Sequence, residues 1–96
     1  MDKKTATLDL TDCKYLGEMH QRIKKALNFP NYYGENWDAF WDCINRDCDV
    51  DFITVTGINT LSKELKKVAE IMISLLEDNK KYWADVEPPF DYEIVL

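Results

Sequence analysis

The sequence predicts an α/β fold, a small three-stranded parallel sheet with flanking helices, and three observations lead there. Three short segments are dense in β-branched or alternating apolar residues, and apolar residues recur at helical spacing between them. The order is strand, helices, strand, helix, strand, and parallel neighbours require long connections of this kind. No repeat, low-complexity segment or Gly/Ser/Pro-rich linker interrupts the chain, so residues 1–96 read as a single domain. A chain of 96 residues is long enough to bury roughly 60 to 68% of its unfolded surface in one core.

Ala6, Leu8 and Leu10 alternate with polar residues, the period of a first strand, and Asp12 is placed to cap the helix after it. Leu16, Met19, Ile23, Ala26 and Leu27 mark that helix, which Pro30 stops. After the turn chemistry of Pro30, Asn31 and Gly34, a second helix is expected from about Trp37 to Asn45, with Asn36 as its N-cap. Phe52 to Thr56 reads as a buried strand closed by Gly57. A long helix is expected from about Leu61 to Asn79, with Leu61, Leu65, Val68, Met72, Leu75 and Leu76 on one stripe. Pro88 and Pro89 lead into a last strand, Tyr92 to Leu96.

The net charge of −6 is uneven. Residues 1–30 hold six basic and four acidic side chains, residues 31–51 one and six, and residues 52–96 five and eight. A window this acidic argues against nucleic acid or an anionic membrane as partner and favours a cationic one. The longest apolar stretch, near Ile71 to Leu76, is too short to span a bilayer, and no signal-peptide run opens the chain. Cys13, Cys43 and Cys48 cannot all pair with one another and match no zinc spacing with His20, so a reducing cytoplasm fits best.

The acidic window contains NYYGENWDAFWDC, residues 31 to 43, in which aromatic rings and three carboxylates crowd together without a Lys or Arg. On a helix Trp37, Phe40, Trp41 and Ile44 share one side, and Asp38 and Asp42 share an adjacent one. The helix dipole favours Asp38 in the first turn but gives Asp42 little, and like charges at this spacing cost an isolated helix roughly 0.2 to 0.5 kcal/mol. A cationic partner would relieve that repulsion; a merely solvated acidic face is the alternative. Tyr32 and Tyr33 on the adjoining turn are residues typical of binding hot spots, whereas at least one of Trp37 and Trp41 is expected in the core. His20 falls on the apolar stripe of the first helix and reads as a satisfied core histidine. Cys43 reads as a buried thiol, and Cys48 as one whose acidic neighbours disfavour the thiolate.

The string HQ..KK.L..P.YYGEN.DA.WDC, from His20 to Cys43, resembles the central region of the barstar family, intracellular inhibitors of the secreted ribonuclease barnase. The resemblance implies a barstar-like fold and ribonuclease inhibition, with no catalysis, cofactor or metal. It places Tyr32, Gly34, Asn36, Asp38, Trp41 and Asp42 in the inhibitory surface, with Asp42 the central carboxylate entering the nuclease's phosphate site. A further acidic contact falls on Asp78 or, less well, Glu77. The implied partner is a small basic, barnase-like ribonuclease bound 1:1 by a chain that is monomeric when free. An RNA-cleaving site holds cations ready for phosphate, and carboxylates can take that anion's place, bidentately on Arg. Barnase with barstar is the reference case for electrostatic steering and for hot-spot carboxylates, and the class of mechanism is taken from it without a magnitude.

The sequence departs from the family at Trp37, where an aliphatic residue is usual. It also lacks a Trp shortly after the second helix, where Arg46 and Asp47 stand, and Arg46 opposes a cationic partner. KYWADVEPP makes a longer approach to the last strand, with Trp83 available for new contacts. Two other functions stay open: an acidic adaptor for some other basic protein, and a Mg²⁺-dependent phosphoryl-transfer enzyme using Asp38, Asp42 and Asp78. The enzyme reading lacks a phosphate loop, a base and a positive group for developing charge.

Overall fold

A computed structural model describes residues 4–96, apart from the side chain of Asp47; the first three residues of the N-terminal stretch lie outside the described residues. The chain runs β1 (Thr5–Asp9), α1 (Leu16–Ala26), α2 (Trp37–Asp42), a π-helical turn (Cys43–Asp47), β2 (Phe52–Thr56), a 3₁₀ turn (Ile58–Thr60), α3 (Lys63–Tyr82) and β3 (Asp91–Val95). The sheet has the order β1-β2-β3 and both pairings are parallel.

A strand order that follows chain order constrains the helices. Two right-handed crossovers that step the same way across a sheet both lie on the same face. The register agrees. Ala6, Ile53 and Tyr92 form one cross-strand row and Leu8, Val55 and Ile94 the next, all on the side of the core. The other face carries Thr7, Thr54 and Glu93, then Asp9, Thr56 and Val95. There Thr54 Oγ1 donates to Glu93 Oε1 at 3.1 Å, and Thr56 Oγ1 donates to Asp9 Oδ1 at 3.1 Å. Phe52–Thr56, expected as a buried strand, is fully buried on one face only. Only Ile53 and Val55 are buried, and the threonines face the open side, where hydroxyls meet water and carboxylates.

The core is built from Leu8, Leu10, Met19, Ile23, Phe40, Ile53, Val55, Ala69, Met72 and Leu76. Five expectations shift. Asp12 caps nothing: it sits in the left-handed region at φ 58, and the α1 N-cap is Tyr15, without a side-chain bond. Glu18 supplies the anchoring instead, accepting the Lys14 N–H at 3.0 Å. The α-helix of the second helical segment ends at Asp42, and the chain continues in wider π geometry to Asp47. α3 starts two residues later than expected, because Ser62 caps it through the Leu65 N–H, and runs on to Tyr82. Ala69 is buried on its stripe, where Val68 and Leu75 are only half-buried. β3 is shifted one residue earlier, to Asp91–Val95.

Candidate functional site

The loop before α2 is fastened from beneath by aromatic side chains. Tyr33 is buried, its N–H donates to the Pro30 carbonyl at 3.0 Å, and its hydroxyl lies 2.6 Å from His20 Nδ1. Trp37 packs on the His20 ring at 4.6 Å between centroids and on Phe40 at 5.5 Å, and Phe29 meets both Tyr33 and Phe40. Burial holds the His20 imidazole below its ordinary pKa, with Glu35 opposing that shift, and burial pushes the Tyr33 phenol up. His20 is thus the satisfied core histidine expected, a neutral strut between α1 and the loop.

Above this cluster the backbone turns sharply into the helix. Glu35, not Gly34, takes the left-handed conformation, at φ 52. Asn36 is the N-cap: its Oδ1 accepts the Ala39 N–H at 2.7 Å and its Nδ2 donates to the Gly34 carbonyl at 3.1 Å. A Cβ on Gly34 would lie 3.1 Å from that Nδ2 and press on the cap. Gly34 and Asn36 therefore set where α2 begins and which way it points.

Asp38 and Asp42 stand one turn apart on α2, both exposed. Among the described residues the ion pairs are Lys4–Asp49, Arg22–Glu18 and Lys80–Asp91, and none engages Glu35, Asp38, Asp42 or Asp78. Tyr32 is exposed in the loop, and Trp41 is half-buried, edge-on to Tyr82 at 6.4 Å. The π turn is tied to α3 by Asn45 Nδ2, which donates 3.0 Å to Oδ1 of the buried Asn79. Asp78 is exposed four residues before Tyr82, on the strip of α3 that meets Trp41. Glu77 is engaged elsewhere: it accepts the Tyr92 hydroxyl at 2.8 Å, and burial with this carboxylate pushes the phenol up to about 12.

The described residues bring no three His, Cys, Asp or Glu side chains together in a way that could hold a metal ion. Asp38, Asp42 and Asp78 thus do not assemble the Mg²⁺ site of the enzyme alternative. No described helix is long and apolar enough to cross a membrane. The three cysteines are thiols, and burial, more than Asp49 and Asp51, pushes that of Cys48 up to about 11.

The family model described as Barstar (barnase inhibitor) matches residues 3–95. The chain belongs to the barstar family. Among curated proteins it is similar to one from Bacillus subtilis (strain 168) named "Putative ribonuclease inhibitor YrdF", 38% identical over 48 residues. That match takes in 50% of this chain and 53% of the relative, so the chain spans about half the length of the curated relative it matches.

Two departures from the barstar pattern now have physical accounts. The Trp37 indole is partly buried and packs over His20 and Phe40 against the core. Arg46 lines a cavity of about 180 Å³ with Cys48, Trp83 and Phe90, and neither Asp38 nor Asp42 borders it. Sequence reasoning missed Tyr82, whose ring lies against Trp41 and, at 4.8 Å, Trp83. Its one local signal is its position four residues after Asp78.

Proposed function

We propose that this chain is an intracellular inhibitor of a small basic, barnase-like ribonuclease, bound 1:1 in the cytoplasm. The observation that carries the reading is the set of exposed carboxylates, Glu35, Asp38 and Asp42, with no ion pair among the described residues, on a helix start whose direction is fixed from beneath. Membership of the barstar family and the name of the Bacillus subtilis relative support it. Asp42 is the central anion, taking the place of a substrate phosphate among the nuclease's cations. Asp38 and Asp78 flank it, and Tyr32 and Trp41 supply rigid rings that lose little entropy on contact. Gly34 and Asn36 hold the loop and cap in register.

The test mixes the chain with small secreted microbial ribonucleases, barnase among them, and tracks RNA cleavage at low and high salt. Inhibition should appear at sub-micromolar chain and slow in onset as salt rises, because association is steered by charge. Asp42→Ala should weaken inhibition by about 30-fold or more, the loss typical when one partner of a desolvated charge pair is removed. If no ribonuclease is inhibited at micromolar chain, the reading fails. A diffuse acidic adaptor would bind basic proteins equally well with and without Asp42.

A further inference from the structure

Three features of the molecule lie outside the surface just described: the cavity beside Arg46, the open threonine face of the sheet, and the aromatic array at the end of α3. In the cavity Asn45 and Asn79 bond each other and Asp51 accepts the Lys4 N–H, so these groups are already engaged within the chain. On the threonine face the hydroxyls of Thr54 and Thr56 are engaged by Glu93 and Asp9. The array is different. Tyr82 is 62% exposed, yet its ring is held edge-on by two indoles, Trp41 at 6.4 Å and 89°, and Trp83 at 4.8 Å and 73°.

We propose that Tyr82, held between Trp41 and Trp83, is a further contact residue for the ribonuclease, extending the carboxylate surface of α2 onto the last turn of α3 and receiving an Arg or Lys side chain from the nuclease's rim. This rests on the proposed function and on three properties of the surface. First, the surface is continuous: Trp41 belongs to α2, one residue before Asp42, and touches Tyr82 directly. Asp78 lies one helical turn before Tyr82 on the same strip. Second, the charge fits. Lys80 is paired with Asp91 at 3.2 Å, and although Lys81 stands exposed in the same turn and Arg46 lines the cavity with Trp83, the acids of α2 and Asp78 lie on the strip that leads to the ring, so a cation drawn to them meets it. Third, the ring is already immobilised, so little entropy remains to be lost when a guanidinium stacks on it. A phenol does not need its hydroxyl for such a contact, because the π face carries the attraction.

The experiment measures inhibition constants and dissociation rates of the unaltered chain, Tyr82→Ala, Tyr82→Phe and Asp42→Ala against barnase and other small basic ribonucleases. Denaturation midpoints of each free chain separate folding from binding. Tyr82→Ala should weaken inhibition about five- to thirtyfold through faster dissociation, while Tyr82→Phe stays within about twofold of the parent. Alanine substitutions of the nuclease's rim Arg and Lys residues should reveal one whose loss is coupled to loss of Tyr82. If Tyr82→Ala inhibits like the parent while Asp42→Ala does not, the inference is overturned and the proposed function stands. If Tyr82→Ala is impaired without coupling to any rim cation, the ring acts only by positioning Trp41 and the inference is again wrong. If the parent inhibits none of the nucleases, both readings fall together.

Discussion

Gly57 and Gly17 show how one substitution changes sign with its surroundings. Gly57 closes β2 at φ 84, and a Cβ there would come within 2.3 Å of the Thr11 nitrogen and 2.7 Å of its Cα. Backbone atoms cannot turn aside as a side chain does, and the left-handed conformation adds roughly 1 to 2 kcal/mol for any residue with a Cβ. The tight approach has a purpose, since the Leu10 N–H donates to the Thr56 carbonyl at 2.8 Å and the Asp12 N–H to Thr60 Oγ1 at 2.9 Å, locking the two loops together. Gly57→Ala should therefore lower stability by at least about 2 kcal/mol, read from the urea midpoint. Gly17, in the first turn of α1, has nothing within 4 Å of its Cβ position. Gly17→Ala should raise stability by about 0.4 to 1 kcal/mol, chiefly by restricting the unfolded chain. A loss at Gly17 matching that at Gly57 would mean that the close contact with Thr11 is not what sets the sign.

At the scale of the element, α2 is short enough that its cap decides much of it. A helix of 6 residues has almost no interior, and both polar atoms of Asn36 are bonded into the start of it. Asn36→Ala should lower stability by about 1 kcal/mol, whereas Asn36→Asp keeps the acceptor and should cost less. Inhibition should fall more in the alanine variant than its stability alone explains, because Asp38 and Asp42 lose their fixed direction. Equal inhibition by parent and Asn36→Ala at a temperature where both are folded would sink that claim. The cap, the turn and the acidic strip were all legible in the sequence because each is written in adjacent residues. The passage of α2 into a π turn at Cys43 was not, since CINRD carries no breaker and the bond that ties the turn to α3, from Asn45 to Asn79, joins residues far apart in the chain. Tyr82 was illegible for the same reason: about forty residues separate it from Trp41, and only tertiary packing joins them. Where α3 begins was readable from Ser62, but the apolar stripe Leu61 to Leu76 pointed to an earlier start.

For the molecule as a whole, the buried titratable groups set a pH window of maximum stability. Burial holds His20 below its ordinary value of 6.5 in the folded state. The unfolded chain therefore takes up a proton first as pH falls, and the contribution of neutral His20, complete above about pH 7, is lost below 6.5 as pH approaches the depressed folded value. Asp9 and Glu18, lowered mainly by hydrogen bonds from Thr11 and Lys14, add a small loss at still lower pH, below their ordinary values of 3.8 and 4.5. At the alkaline end the sign is opposite. The Cys48 thiol is pushed from 9.0 to about 11, chiefly by burial, and Cys13 is raised too. The unfolded thiols ionise first, so stability declines above about pH 9, with Tyr33 and Tyr92 adding to the decline above 10. Urea midpoints across pH 4.5 to 10.5 should thus be flat between roughly pH 7 and 8.5 and fall on both sides. His20→Gln lowers the whole curve by disturbing the Tyr33 contact, yet it should flatten the slope between pH 6.5 and 5. An unchanged acid slope in that variant would trace the loss to carboxylates instead. The separation matters for the inhibitor reading: the site's carboxylates stay on the surface, while the buried imidazole of His20 lies beneath the loop, so protonating it in acid should loosen the loop of Tyr32.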